Sequence, residues 1–333
     1  MKILIIQTAF IGDVVLATAA VEKLAKYYPD ASIDFLVRKG NESLLMNNPH
    51  LNEILVWNKK KNKLINLFLM MRNVRNSRYD YIINLHRFAS SGFITLFSGA
   101  KNKIGFDKNP LSIAFNKKVQ HIIGSGYDTY LHEVDRNNLL IAPFTDDARV
   151  NPKLYPSADD FNAVEKFQQS KYICIAPASV WFSKQWAKEK WIEMLNKMDT
   201  SFVIYMLGAP SDNDLCNSIN SSAKNKNIIN LCGQLSFLQS AALMKGAVMN
   251  YVNDSAPMHI ASAVDAPVTA IYCSTVPYFG FGPLSSQSFI IETKEKLDCR
   301  PCGLHGHRIC PKGHFKCAFT IEVSDVLKTL PAQ

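Results

Sequence analysis

Short apolar runs with strand character alternate with helix-like segments along almost the whole chain, and this alternation constrains the fold most strongly. Continuous apolar runs are typical of strands that are buried on both faces. Strands that alternate with helices form parallel sheets covered by those helices, so the sequence predicts an α/β protein. The predicted strands are Ile3–Ile6, Ile33–Val37, Tyr81–Leu85, Tyr172–Ala176, Phe202–Leu207, Ala247–Asn250 and Val268–Tyr272.

A segment rich in proline, acidic and small residues, Ala142–Asp160, separates two groups of predicted strands and is typical of a linker. The 333 residues are enough for two domains with their own cores. We therefore predict two doubly wound, Rossmann-like domains, residues 1–150 and 151–333, facing each other across a cleft. An arrangement in which the final helix packs against the first domain is compatible with this prediction. Ligands of such sheets bind beyond the carboxyl ends of the strands.

The charge balance favours an anionic partner, because Lys and Arg outnumber Asp and Glu by 37 to 28. A nucleotide or an anionic membrane surface fits this excess. The longest basic run, Lys59–Lys61 with Lys63, is short, so we expect no nucleic-acid partner. Gln7 and Asp13 interrupt the first apolar run, which argues against a secretory signal, and no apolar stretch approaches membrane-spanning length. We expect a cytoplasmic protein with mostly reduced cysteines.

The loop after the first strand contains a single glycine, Gly12, followed by Asp13. A dinucleotide fingerprint needs three glycines at fixed spacing, so a nicotinamide dehydrogenase is not expected. Gly12 permits close approach of a ligand. Asp13 lies at the entry to a predicted helix, Val14–Tyr28, where an aspartate can serve as an N-terminal cap or as a general base.

In the second half, residues 253–259 precede an Ala-rich helix whose amino-terminal amides and dipole would attract a pyrophosphate. Asp254 or Ser255 can equally be a simple helix cap. His259 can be a ligand contact or a core histidine.

Two other strand ends of this half carry polar groups. Lys184 follows the strand Tyr172–Ala176 and can neutralise a phosphate, or be an ordinary solvated lysine. Asp212 follows the strand Phe202–Leu207 and can accept hydrogen bonds from a ribose, although capping of the next helix explains its position equally well.

The order and spacing of these segments resemble heptosyltransferases, members of glycosyltransferase family 9, along nearly the whole chain. This resemblance implies the two-domain GT-B fold, with acceptor on the first domain and nucleotide-sugar on the second. Many relatives have Gly where this chain has Ala256 and Pro where it has Ala19, but neither change removes a catalytic group. The resemblance rests on Ile11–Val15, Tyr79–Leu85, Ser98–Ala100, Ile104–Gly105, Lys184–Trp186, Leu207–Pro210 and, most specifically, Asp254–Ala261.

The same resemblance implies roles for individual residues. Asp13 matches the general base, with Gly12 beside it in the acceptor-side loop, and Lys184 would stabilise the charge of the leaving diphosphate. Such a single-base displacement inverts the anomeric carbon and requires neither a metal nor a cofactor. The donor-binding positions are Ser179, Lys184, Asp212, Asp254, Ser255, Ala256 and His259.

The activity implied is transfer of a heptose from ADP-heptose to a Kdo or heptose hydroxyl of the lipid-linked lipopolysaccharide inner core. The enzyme would work peripherally at the inner face of the inner membrane, where its basic balance suits anionic lipid and a phosphorylated acceptor. A nucleotide-sugar epimerase of the same two-domain form, which needs no acceptor, is an alternative.

A cysteine cluster near the carboxyl end has the pattern C-x2-C-x7-C-x6-C, at Cys299, Cys302, Cys310 and Cys317. Four thiols with one close pair are compatible with a structural zinc ion. They are equally compatible with reduced thiols or a disulfide. A zinc-stabilised binding protein without catalytic activity is therefore a second alternative.

Overall fold

The computed structural model describes residues 1–331, which divide into two compact units. The first contains Met1–Ile123 and Leu131–Tyr155, and the second contains Gly124–Tyr130 and the residues from Pro156 onward. The chain thus passes from one unit to the other inside the segment Ala142–Asp160 that the sequence indicates as a linker. No sequence feature indicated that residues 124–130 group with the second unit.

The first unit is a parallel sheet covered by helices. Its elements are β1 (Lys2–Ile6), α1 (Ile11–Tyr27), β2 (Ser32–Arg38), β3 (Glu53–Trp57), α2 (Lys63–Asn76), β4 (Tyr81–Asn84), α3 (Ala89–Phe97), β5 (Asn102–Phe106), β6 (Lys117–Val119) and α4 (Glu133–Leu139). Within the described residues the strand order is β3-β2-β1-β4-β5-β6. Ile5 of β1 lies opposite Phe35 on one side and Ile83 on the other. The sheet therefore changes its direction of growth between β1 and β4.

The second unit repeats this architecture. Its elements are α5 (Ala158–Val164), β7 (Tyr172–Ala176), α6 (Lys188–Lys197), β8 (Val203–Met206), α7 (Asn213–Ser222), β9 (Ile228–Asn230), α8 (Phe237–Gly246), β10 (Met249–Asn253), α9 (Ala256–Ala263), β11 (Val268–Tyr272), β12 (Ser288–Glu292), α10 (Lys316–Phe319) and α11 (Val323–Leu327). The order β12-β11-β10-β7-β8-β9 is the same doubly wound order, with the switch point between β7 and β10. Val252 of β10 lies opposite Ala176 and Ala270.

Each unit has its own apolar core. In the first, Leu4 and Ile6 of β1 pack with Val74 of α2. In the second, Val323 and Val326 of α11 join the core beneath α6. The last helix is therefore anchored within its own unit. Along the described part of the chain, the helices are too short or too polar for any of them to cross a membrane.

The observed strands overlap every predicted one, and α1 is the element whose start differs most clearly. It begins at Ile11 and not at Val14, because the Asp13 carboxylate accepts a hydrogen bond from the Phe10 amide (3.2 Å) and so satisfies a free donor one turn earlier. Asp13 thus lies inside the first turn, and the interpretation of it as the N-terminal cap residue is wrong: Phe10 occupies that position.

Candidate active site

The loops after β1 and β4 approach each other at the switch point of the first sheet, where ligands of doubly wound folds bind. Thr8, after β1, has its hydroxyl 3.2 Å from Nδ1 of His86, after β4. Lys59 Nζ donates to the carbonyl oxygen of Thr8 (3.0 Å) and to its hydroxyl (2.8 Å). Asp13, in the first turn of α1, belongs to the same end of the unit.

The Asp13 carboxyl is partly buried, and its ionisation is perturbed. Burial is the largest cause, and the negative charge of Glu133 adds to it, so that the pKa of Asp13 rises from the usual 3.8 to about 6. Hydrogen bonding to the Phe10 amide and the charge of Arg87 act in the opposite sense without offsetting the rise. A carboxylate with such a pKa is ionised at neutral pH and is a better proton acceptor than an ordinary aspartate.

The negative charge of Glu133 is maintained although the residue is buried. Burial opposes its ionisation, but hydrogen bonding and charge pairing with His121 and Arg136 hold the pKa of Glu133 below its ordinary value. Its Oε2 lies 2.7 Å from Arg136 Nε and 3.6 Å from His121 Nε2. This fixed charge contributes to the raised pKa of Asp13.

Two other groups near Thr8 also have perturbed ionisation. Burial, together with the charges of Arg38 and Lys63, lowers the pKa of Lys59 to about 8. Burial, with the charges of Lys59 and Arg87, lowers the pKa of His86 to about 3, so this imidazole is neutral at physiological pH. The first unit therefore places one basic carboxylate near several cationic groups that suit an anionic ligand.

In the second unit, Lys184 and Asp254 come together at the switch point between β7 and β10. Lys184 Nζ lies 2.6 Å from Asp254 Oδ2, and Thr275 donates its hydroxyl to the same oxygen at 2.6 Å. Both side chains are largely buried, with 15% and 7% exposed. The interpretation of Lys184 as an ordinary solvated lysine is therefore wrong. Lys184 and Asp254 were both predicted to bind the donor, but nothing in the sequence indicated that they pair with each other.

A buried asparagine that the sequence interpretation did not single out organises this loop. Asn253, at the end of β10, accepts a hydrogen bond from the Trp186 amide (2.9 Å) and donates to the Pro177 carbonyl (2.8 Å). It therefore ties both ends of the segment that carries Ser179 and Lys184. Ser179 is half-buried, and its carbonyl accepts from Gln185 Nε2 at 2.8 Å.

The helix α9 starts at Ala256, directly beyond Asp254 and Ser255. Ser255 occupies the N-terminal cap position, but its hydroxyl donates to the Asn253 carbonyl (3.3 Å) and makes no cap hydrogen bond to the helix. Pro257 fits in the first turn because its missing N–H costs nothing there. His259 is buried on α9.

Asp212 lies after β8, where its carboxylate accepts a hydrogen bond from the Ala209 amide at 2.8 Å. The carboxylate therefore closes the turn that follows Gly208. The tight packing of this turn is evident at Gly208, where a Cβ atom would lie 2.9 Å from Cys232 Sγ.

The carboxyl-terminal cysteines share one cavity of about 280 Å³. Cys299 Sγ lies 3.8 Å from His314 Nε2, and Cys302 Sγ is 3.1 Å from the Cys299 carbonyl oxygen. Within residues 1–331, no group of three or more His, Cys, Asp or Glu side chains is arranged to hold a metal ion, and all eight cysteines are free thiols.

Comparison with known proteins agrees with this architecture. Residues 68–307 match the family model for glycosyltransferase family 9 (heptosyltransferase). A lipopolysaccharide heptosyltransferase 3 of Escherichia coli is 26% identical over 280 residues, which cover 80% of this chain and 82% of that protein. The lipopolysaccharide core heptosyltransferase OpsX of Haemophilus influenzae is 23% identical, with 82% and 81% covered.

Solved structures show the same fold. The ADP-heptose lipopolysaccharide heptosyltransferase II of E. coli superposes with a TM-score of 0.80 at 21% identity, covering 99% of this chain and 97% of that one. A family 9 glycosyltransferase of Veillonella parvula gives 0.83 at 20% identity, with 98% and 95% covered. The two doubly wound units are therefore those of the GT-B fold.

The family match spans well over half of the chain and includes Lys184, Asp254 and the switch point of the second unit, between β7 and β10. Membership makes the protein a transferase and excludes the epimerase and the non-catalytic zinc protein as descriptions of its activity. The chain belongs to glycosyltransferase family 9, the heptosyltransferase family.

Proposed function

We propose that this enzyme transfers a heptose from ADP-heptose to a Kdo or heptose hydroxyl of the lipopolysaccharide inner core, with inversion and without a metal ion. Its acceptor is lipid-linked, so the reaction belongs at the inner face of the inner membrane. The relatives named lipopolysaccharide heptosyltransferases support the substrate class. The observation on which the proposal depends is the Asp13 carboxylate, whose pKa is raised to about 6 at the switch point of the first unit.

In the proposed reaction, Asp13 takes the proton from the acceptor hydroxyl while that oxygen attacks the anomeric carbon of the heptose. The C–O bond to the diphosphate breaks as the new glycosidic bond forms, and ADP leaves with the electron pair. Lys59 and Arg87 supply positive charge for an acidic acceptor in the first unit. Transfer requires the acceptor on this unit and the donor on the second to meet during turnover.

The second unit supplies the donor side of the proposal. Lys184 contacts the diphosphate while it remains near Asp254, and its charge stabilises the leaving group most strongly in the transition state. The Met258 amide donates to the Ser255 carbonyl (3.1 Å), so the helix-start contacts come from the amides of Ser255 and Ala256. Asp212 is the proposed ribose contact, and Ser179 and His259 complete the donor site.

The direct test is product formation from defined substrates. The enzyme is incubated with a panel of nucleotide-sugars and with truncated inner-core acceptors ending in Kdo or in heptose, in the presence of EDTA. We expect the acceptor mass to increase by one heptosyl residue, with equimolar release of ADP and an inverted anomeric configuration by NMR. Release of ADP without acceptor, or dependence on an added divalent ion, would contradict the proposal.

The raised pKa of Asp13 predicts the pH dependence of transfer. The base must be ionised, so kcat/KM should increase about tenfold per pH unit up to about pH 6, level off, and begin to fall near pH 8 as Lys59 loses its charge. His86 does not contribute in this range, because its pKa is about 3. The measurement is kcat/KM from pH 4.5 to 8, with ADP affinity at each pH as the control. A flat profile would show that Asp13 is not the base.

A further inference from the structure

The helix α2 has apolar side chains on two opposite sides, although only one side is needed for the core. Val74 is fully buried, and Leu67, Met70 and Met71 pack around it against the first unit's core. These four residues form the side of the helix that packs on its own unit. Any apolar residue on the other side requires a different explanation.

That other side consists of Leu64, Ile65, Phe68 and Leu69, which we call the outer face of α2. Their exposed fractions are 78%, 61%, 60% and 53%, respectively. Positions separated by one, four and five residues lie on one side of a helix, so the four side chains form a continuous patch. Single exposed apolar residues are common, but a contiguous patch of this kind marks an interaction surface.

The sequence segment that contains this face is strongly basic. Between Ile54 and Phe106, ten residues are Lys or Arg and only Asp80 is acidic. This stretch alone has a formal charge of +9, which equals the formal charge of the whole chain, so the rest of the sequence is balanced. The ten are Lys59, Lys60, Lys61, Lys63, Arg72, Arg75, Arg78, Arg87, Lys101 and Lys103.

The basic residues closest in sequence to the outer face are accessible. Lys60, Lys61 and Lys63 are exposed at the start of α2, and Arg72 is exposed one turn beyond Leu69. The single acidic residue of the stretch, Asp80, is partly neutralised, since it accepts from the Lys2 amide (2.9 Å) and lies 3.5 Å from Lys101 Nζ. An exposed apolar helix face bordered by lysines is the pattern of helices that lie in a membrane interface.

We propose that the outer face of α2 docks the enzyme on an anionic lipid bilayer, with Leu64, Ile65, Phe68 and Leu69 among the acyl chains and the flanking lysines on the headgroup phosphates. The charge selects this occupant over a second copy of the chain. A two-fold interface through α2 would bring the exposed Lys60, Lys61, Lys63 and Arg72 of two copies close to each other, whereas anionic lipid neutralises them. This inference does not depend on the sugar that is transferred.

Vesicle binding of the full-length protein without substrates tests the proposal. We expect co-sedimentation with vesicles of phosphatidylethanolamine and phosphatidylglycerol and much weaker binding to phosphatidylcholine alone. Leu64→Gln/Phe68→Gln should lower the partition coefficient on the anionic vesicles at least about tenfold. Lys60→Gln/Lys61→Gln/Lys63→Gln should lower it by a similar factor and reduce its dependence on salt.

Matched controls use exposed residues of the same types elsewhere. Ile113→Gln removes an apolar side chain that is 88% exposed in the same unit, and Lys224→Gln/Lys245→Gln/Lys296→Gln removes three exposed lysines from the second unit. Both should bind vesicles like the wild type. Unchanged binding of the α2 variants would overturn the proposal, as would a wild-type dimer that Leu64→Gln/Phe68→Gln makes monomeric. Leu64→Gln/Phe68→Gln should transfer heptose to a lipid-free acceptor at the wild-type rate, and this measurement separates docking from catalysis.

Discussion

Asp13→Asn should lower kcat for heptosyl transfer about a thousandfold, the range expected for loss of a positioned general base. The amide keeps the shape of the side chain and can still accept the hydrogen bond from the Phe10 amide. Because the donor is proposed to bind the second unit, the Kd for ADP should stay within about twofold of the wild type. The measurements are steady-state kinetics and calorimetric titration with ADP.

The matched control is Asp30→Asn, an exposed aspartate of the same unit, which should retain wild-type kcat. Asp13→Glu keeps a carboxylate but moves it by one methylene, so its kcat should lie between the values for Asp13→Asn and Asp30→Asn. If Asp13→Asn kept most of the activity, the assignment of the base would be wrong, and another group of the first unit would have to accept the proton.

The same substitution should make the protein more stable at neutral pH. The folded-state pKa of Asp13 lies above its unfolded value of 3.8, so folding favours the protonated form. That contribution is fully present below about pH 4 and is lost as the pH rises through about 6. At pH 8, Asp13→Asn should therefore raise the free energy of unfolding by about 1–2 kcal/mol, and the difference should vanish near pH 4. Urea unfolding at both pH values measures it.

A gain in stability together with a loss of activity would identify Asp13 as a carboxylate kept in an unfavourable environment for its function. A residue that only stabilises the first turn of α1 would behave differently, because its replacement would lower stability at every pH. The two measurements on one variant thus distinguish a catalytic role from a structural one.

The inner strands of both sheets were predicted from the sequence except β5, which begins with the polar residues Asn102 and Lys103, and the edge strands were not predicted. Strands such as β1, β7 and β11 are buried on both faces, and their continuous apolar runs reflect this directly. The edges β3 and β12 contain only short apolar runs, Ile54–Trp57 and Phe289–Ile291, which were not assigned to strands, and they leave residues exposed to solvent. The edges β6 and β9 are too short to produce a recognisable pattern.

The candidate site was predictable in part, because strand-end loops of doubly wound sheets are separate in sequence but adjacent in space. Asp13, Lys184 and Asp254 were found as individual strand-end residues. The pKa of Asp13 is raised mainly by burial and further by the charge of Glu133, which lies far along the chain in α4, and no local pattern indicates either effect. The role of Asn253 depends likewise on contacts with the loop after β7.

Replacement of Lys184, which pairs with Asp254, should have a large effect on both catalysis and stability. Lys184→Ala removes the proposed phosphate contact and should lower kcat/KM for ADP-heptose about 100-fold, mainly through kcat. It also leaves Asp254, of which only 7% is exposed, without its cation, which should lower the free energy of unfolding by about 2–4 kcal/mol. Lys197→Ala, which breaks an exposed ion pair with Glu193 in the same unit, should change stability by less than about 1 kcal/mol.

A second variant separates the two effects of Lys184. In Lys184→Met/Asp254→Asn neither charge remains, so the stability lost in Lys184→Ala should be largely recovered. Donor use should not recover, because the cation that meets the diphosphate is still missing. Asp254→Asn alone keeps that cation and should retain affinity for ADP, measured by calorimetry. If the double variant regained both stability and donor use, Lys184 would act only by neutralising Asp254, and the leaving diphosphate would be stabilised by the helix-start amides alone.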